Sequence, residues 1–340
     1  MRSILVVGPS WIGDTVLAQP LLKLLCARHA GLAIDVLAPP WTLPLLQRMP
    51  EVRRAIPSPF GHGELKLGAR RRLGIELRAA GYDQAIVLPN SFKSALVPFF
   101  AGIPLRSGYV GEMRWGLIND ARRLDKQALP LMVERFAALA APPGEAPGLP
   151  LPPARLLVAQ DKRLATLRKL ALEPQVPAVA LCPGAEYGPA KRWPAEYFAE
   201  LARRFKSHGC SVWIVGSGKE AALGAEVEAL SGGSCTNLCG KTSLDEAVDV
   251  LASVRLAVSN DSGLMHVAAA LGTPLVALYG SSSPGFTPPL SDDARILKLD
   301  LPCSPCFKRQ CPLGHFNCMR QLTPDRVSAA IEFDRICRPV

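Results

Sequence analysis

No stretch of the 340 residues approaches the roughly 18 consecutive apolar residues that a membrane-spanning helix needs. The short apolar run at the N-terminus meets Gly8-Pro9 too soon to serve as a secretory leader. A cytosolic protein is therefore expected. Aromatic residues reach only 6%, which leaves no stacking platform for single-stranded nucleic acid. No Asp-x-Asp pair occurs, so a diphosphate bridged by a metal on two such carboxylates lacks its usual ligands. Acid is the scarcer charge: 29 Asp and Glu against 39 Lys and Arg give a formal +10, which favours an anionic partner.

What is present is ordinary globular material, 49% hydrophobic and 20% charged, in a chain long enough for two cores. Short apolar runs at Ile4–Val7, Ala33–Leu37 and Gln84–Leu88 alternate with amphipathic segments such as Leu21–Arg28, the rhythm of parallel strands and covering helices. Six prolines between Pro142 and Pro153 interrupt it and mark an interdomain connection. A second alternation follows, with strands expected at Val179–Cys182, Ser211–Val215, Leu256–Ser259 and Leu275–Leu278. The expected architecture is α/β: two successive units of parallel strands and covering helices facing each other across a hinge, with a cleft at the carboxyl ends of the strands.

Several motifs sit at the carboxyl ends of these strands. "GPSWIGDT" follows the first strand like a phosphate loop, but Asp14 stands where such a loop carries lysine. A carboxylate there suits a general base, or else caps a helix that Pro20 would interrupt. In the second half, "NDSGLMHVAAALG" offers Asp261 and Ser262 as N-caps, Gly263 where a pyrophosphate approaches, His266 one turn in, and Gly272 as C-cap. Capping by Asp261 and simple packing by His266 would explain the same residues. "CPGAEYGPAKRWP" brings Lys191 and Arg192 to a loop where cations would hold a diphosphate leaving group, or would merely be solvated. "GSGKE" and "GKTSL" lie on the same edge, where Glu220 would accept from ribose hydroxyls or else stand solvated with no ligand.

Basic residues crowd the first half: Arg70 to Arg72, Lys93, Arg106, Arg114, Arg122, Arg123 and Lys126. They fit an anionic small or lipid-borne acceptor, although most surface cations are only solvated. Of ten cysteines, Cys26, Cys182, Cys210, Cys235, Cys239 and Cys337 are scattered in apolar surroundings and read as buried free thiols. Cys303, Cys306, Cys311 and Cys318 cluster as C-x2-C-x4-C-x6-C around His315, a pattern that could close a structural zinc site, with disulfides the weaker option in a reducing cytosol.

Taken together, "GPSWIGD", "LPNSFKSALVPFFAGIPLRSGY", "CPGAEYGPAKRWP" and "NDSGLMHVAAALGTPLVALYGSSSPGFTPPL" resemble the bacterial ADP-heptose:lipopolysaccharide heptosyltransferases of glycosyltransferase family 9. The likeness is nearest to the branch that adds the second heptose of the inner core, and it runs in order to about Leu290. It implies a GT-B fold of two Rossmann-like domains, with an acceptor domain at 1–155, an ADP-heptose domain at 156–320, and a terminal helix at 321–340 packing back on the first domain. It further implies an inverting transfer without catalytic metal or cofactor, with Asp14 as base and Lys191 at the diphosphate. Donor contacts would fall on Glu186, Tyr187, Lys191, Glu220, Thr242, Asp261, Ser262, Gly263, Leu264 and His266. On the acceptor side the candidates are Lys93, Arg106, Arg114 and Arg122. The implied partners are ADP-heptose and a lipid-linked heptosyl-Kdo acceptor, met by a monomer in peripheral contact with the cytoplasmic face of the inner membrane, with no role for nucleic acid. A sibling using another acceptor, a GT-B-like nucleotide-sugar epimerase and a non-catalytic binder of anionic glycan are the rival readings.

Overall fold

The computed structural model describes residues 1–61 and 63–338. Two units divide between Ala154 and Arg155, directly after the Pro-rich stretch. In the first unit the strands are β1 (Ser3–Val7), β2 (Ala33–Ala38), β3 (Val52–Pro57), β4 (Gln84–Val87), β5 (Leu105–Tyr109) and β6 (Asp120–Arg122). All run parallel, in the order β3-β2-β1-β4-β5-β6. Every residue of β1 and β4 is buried, which is why these strands read as unbroken apolar runs. At the sheet edge, β3 carries the half-exposed Arg53 and Arg54, whose guanidinium groups pair with the buried Asp35 of β2.

The second unit repeats the plan with β7 (Ala178–Cys182), β8 (Ser211–Ile214), β9 (Thr236–Asn237), β10 (Leu256–Asn260), β11 (Leu275–Leu278) and β12 (Ala294–Leu297). Their order is β12-β11-β10-β7-β8-β9, again all parallel. Each sheet thus has the Rossmann order, winding outward in opposite directions from its first and fourth strands. Connections leaving those two strands part from each other, and a crevice opens at their carboxyl ends. The crevice lies between β1 and β4 in one unit and between β7 and β10 in the other. This is the two-sheet α/β architecture expected of a GT-B chain.

The C-terminal segment completes the core of the second unit. Met319, Leu322, Val327, Ile331 and Cys337 are buried with Trp193, Phe198 and Phe205 in the core of the second unit. Arg204, on helix Ala195–Ser207, donates to Asp325 and Ser328. Residues 321–338 therefore pack on the second unit, where the apolar face of helix Ala195–Ser207 needs them as cover. Pro339 and Val340 lie outside the described residues. The same packing joins Cys337 to Cys210 in a disulfide, where two free thiols were expected; Cys26, Cys182, Cys235 and Cys239 are free. No described helix is long and apolar enough to cross a membrane.

Candidate active site

The loops that leave β7 and β10 start in line, since Cys182 pairs with Ser259 in the ladder. Lys191, in the single turn Pro189–Lys191, donates to Asp261 across 2.5 Å. Both side chains are sheltered, at 17% and 4% exposure. Asp261 is thus not the helix cap that its sequence suggested. Ser262 is the N-cap of helix Gly263–Leu271 and caps with no side-chain bond, while Gly272, at φ 72°, closes the other end. Asn260, which no motif singled out, positions the loop after β7. Fully buried, it donates to Pro183 O at 2.8 Å and accepts from Trp193 N at 3.1 Å, so both ends of loop 183–193 are fixed to the tip of β10.

This edge is polar, buried and unsatisfied. Thr242 Oγ1, His266 Nδ1, Ser281 Oγ and Ser282 Oγ have no hydrogen-bond partner among the described residues. They follow β9, open helix Gly263–Leu271 or follow β11, all on the carboxyl side of the sheet. An orphaned buried polar group costs about 1–3 kcal/mol. Four on one edge mark a surface shaped for a polar ligand. Burial pushes the His266 imidazole down to about 4, with Asp261 opposing the shift and Lys191 adding to it, so the ring is neutral near pH 7.

Glu220 is buried rather than solvated. Its carboxylate accepts from the Ser217 amide and hydroxyl, and a Cβ on Gly184 would come within 2.8 Å of its Cγ. Glu186 pairs at the surface with Lys219. Tyr187 lies 5.3 Å from Lys191 Nζ at its ring centroid and donates its hydroxyl to Phe307 O. The cysteine-rich loop thereby braces loop 183–193: Ala190 donates to Arg309 O, Arg309 donates to Tyr187 O, and a Cβ on Gly188 would strike Arg309 O at 2.4 Å. Cys303, Cys306, Cys311 and Cys318 line one small cavity with His315, yet among the described residues no three such side chains are arranged to hold a metal.

The family model described as glycosyltransferase family 9 (heptosyltransferase) matches residues 70–317. The chain belongs to glycosyltransferase family 9. It is 51% identical over 333 residues to a lipopolysaccharide heptosyltransferase 2 of Escherichia coli (strain K12), covering 95% of this chain and 96% of that protein. A lipooligosaccharide heptosyltransferase 2 of Haemophilus influenzae is 48% identical over 308 residues, with coverage of 87% and 88%. The solved structure of E. coli ADP-heptose LPS heptosyltransferase II superposes with a TM-score of 0.88 at 47% identity, over 99% of this chain and 98% of that one.

In this glycosyltransferase Asp14 sits in the first turn of helix Ile12–Leu17, on the connection leaving β1. Pro20 separates that helix from Gln19–Arg28, as the sequence led one to expect. Gly8 opens the connection where a Cβ would press to 3.2 Å on Val36 and Ala38. Three of the four expected acceptor cations turn inward instead. Arg114, 3% exposed, donates to Pro89 O at 2.7 Å, to Asn90 Oδ1 at 3.1 Å and to Tyr109 O. Arg106 donates to Ile103 O, Leu117 O and Gly116 O. Arg122 pairs with Asp120 and donates to Ala138 O and Ala141 O. Loop carbonyls away from the ladder need donors, and a guanidinium supplies five. Lys93 is half-buried, and its carbonyl accepts from Arg70.

Proposed function

We propose that this family 9 glycosyltransferase moves L-glycero-D-manno-heptose from ADP-heptose onto the first heptose of the lipopolysaccharide inner core, with inversion at the anomeric carbon. The observation that carries the reading is the sheltered Lys191–Asp261 pair amid orphaned hydroxyl and imidazole atoms at the β7/β10 crevice. That setting suits a nucleotide diphosphate: Lys191 turns from Asp261 to the phosphates, the first-turn amides beside Ser262, Gly263 and Leu264 add donors, and Thr242 and His266 gain partners. Glu186, Tyr187 and Glu220 shape the nucleoside side of the same edge.

In the reaction, the acceptor hydroxyl forms its bond to the anomeric carbon as the bond from that carbon to the diphosphate oxygen breaks. The hydroxyl proton passes to the Asp14 carboxylate, and the bonding pair leaves on ADP beside Lys191. The first unit receives the acceptor, with Lys93 facing its phosphates, and the second holds the donor. The enzyme acts as a monomer without nucleic acid, in peripheral contact with the cytoplasmic face of the inner membrane, where its lipid-linked heptosyl-Kdo acceptor resides. The test is ADP release from ADP-heptose with acceptors carrying zero, one or two heptoses. Turnover only with the one-heptose acceptor is expected; preference for the heptose-free acceptor would assign the enzyme to the preceding step instead.

A further inference from the structure

Five of the exposed apolar side chains of the first unit stand at one edge, the most exposed, Met113, among them. Trp41 follows β2, Trp11 follows β1, Phe92 follows β4, and Met113 and Trp115 follow β5, at exposures of 50%, 48%, 39%, 83% and 72%. The strand ends are in register, with Val7 beside Leu37 and Val87, and Val87 beside Gly108. At about 4.8 Å per strand, the row runs roughly 15 Å across the sheet.

Its outer half is built rigidly. The buried Arg114 guanidinium ties the β5 loop to Pro89 and Asn90 of the β4 loop, and Glu112 accepts from Phe92 N at 2.9 Å. A Cβ on Gly111 would stand 2.9 Å from Asn90 O, so the two loops touch backbone to backbone. Glu112 and Met113 hold φ of 34° and 47°, a left-handed conformation that non-glycine residues adopt at a cost. A braced, strained turn that displays Met and Trp to solvent differs from a loop with incidental apolar residues. The surrounding charge is positive: 18 of the 39 basic residues but only 11 of the 29 acids lie in residues 1–154, a formal +7. Lys93 follows β4, and the exposed Arg123 and Lys126 follow β6 on the same edge.

We propose that Met113, Trp115 and Phe92 enter the interfacial layer of an anionic lipid bilayer, with Arg123 and Lys126 against its headgroups. Tryptophan favours that layer, and basic side chains beside it add attraction that salt screens. The inference rests on the reading that the acceptor is lipid-borne, and it assigns the surface by which the enzyme reaches that acceptor.

The full chain and its M113S/W115A variant are sedimented with phosphatidylcholine vesicles, with and without phosphatidylglycerol. Wild type is expected to bind the anionic vesicles, less so at high salt, and the variant to bind at least tenfold more weakly. R123E/K126E should lose the preference for anionic lipid. On an acceptor oligosaccharide freed of its acyl chains, M113S/W115A should turn over like wild type, which also shows that it folds. Vesicle binding unchanged in M113S/W115A, or absent in wild type, overturns the proposal. Equal loss of vesicle binding and of turnover on the acyl-free acceptor also overturns it, by making the edge a glycan subsite. Wild type that binds vesicles but transfers no heptose leaves the docking surface standing and defeats the proposed function alone.

Discussion

The two units share a strand order and differ in what they hang on it. At the carboxyl edge of the second sheet, polar atoms are buried and wanting partners: Thr242, His266, Ser281 and Ser282. At the same edge of the first, apolar side chains are exposed, and the arginines that looked free are bonded to loop carbonyls. One edge is prepared for a small polar molecule that would fill a gap; the other is prepared for something broad that would cover a surface. A common topology places both sites at strand ends, and the dressing of those ends decides what each takes.

The sharpest way to break this division of labour is at Asp14. Changing Asp14→Asn keeps shape and removes the proton acceptor. Turnover should fall about a thousandfold, within the range for general-base loss, while ADP-heptose affinity measured by calorimetry stays within a few-fold of wild type. Equal loss of both would put Asp14 on the donor side and erase the contrast. Lys191→Ala comes next, with kcat/KM down about a hundredfold. Because it also leaves the Asp261 carboxylate buried without Lys191, stability should drop too. The double variant K191A/D261N should regain stability in a urea titration but not turnover; recovery of both would make the pair structural only.

How much of this was legible in the sequence follows the same physics. β1, β4, β7 and β10 are wholly buried, so their apolar runs announced themselves. The edge strands β3, β6 and β12 carry exposed polar and charged positions and passed unread. Asp261 and Lys191 could each be placed on a strand-end loop, but their mutual bond joins residues 70 positions apart, which no local pattern encodes. Arg106, Arg114 and Arg122 show the opposite failure: charge was counted as surface charge, whereas loop carbonyls had claimed it. The row from Trp41 to Trp115 was invisible for a further reason. An aromatic share of 6% is low on average, and only the sheet register brings Trp11, Trp41, Phe92 and Trp115 to one edge.

The last test concerns His266, and it separates a ring that is merely packed from one that waits for a ligand. Its folded value of about 4 lies below the ordinary 6.5, because burial disfavours the charged ring; Asp261 resists that shift and Lys191 reinforces it. The unfolded chain therefore takes up the proton first as pH falls. Stability from this residue is whole above about pH 6.5, is lost progressively toward pH 4, and changes little below that. The loss amounts to up to about 3 kcal/mol. Carboxylates titrate in the lower part of the same window, so the measurement is a difference: urea midpoints of wild type and His266→Gln at pH 7 and near pH 4.5. The glutamine variant should show the shallower decline with acid. ADP-heptose, binding the neutral ring, should raise the wild-type midpoint more than the variant's at pH 7. Identical acid slopes would mean that the ring meets solvent, and an identical ligand shift would mean that Nδ1 is not part of the donor edge.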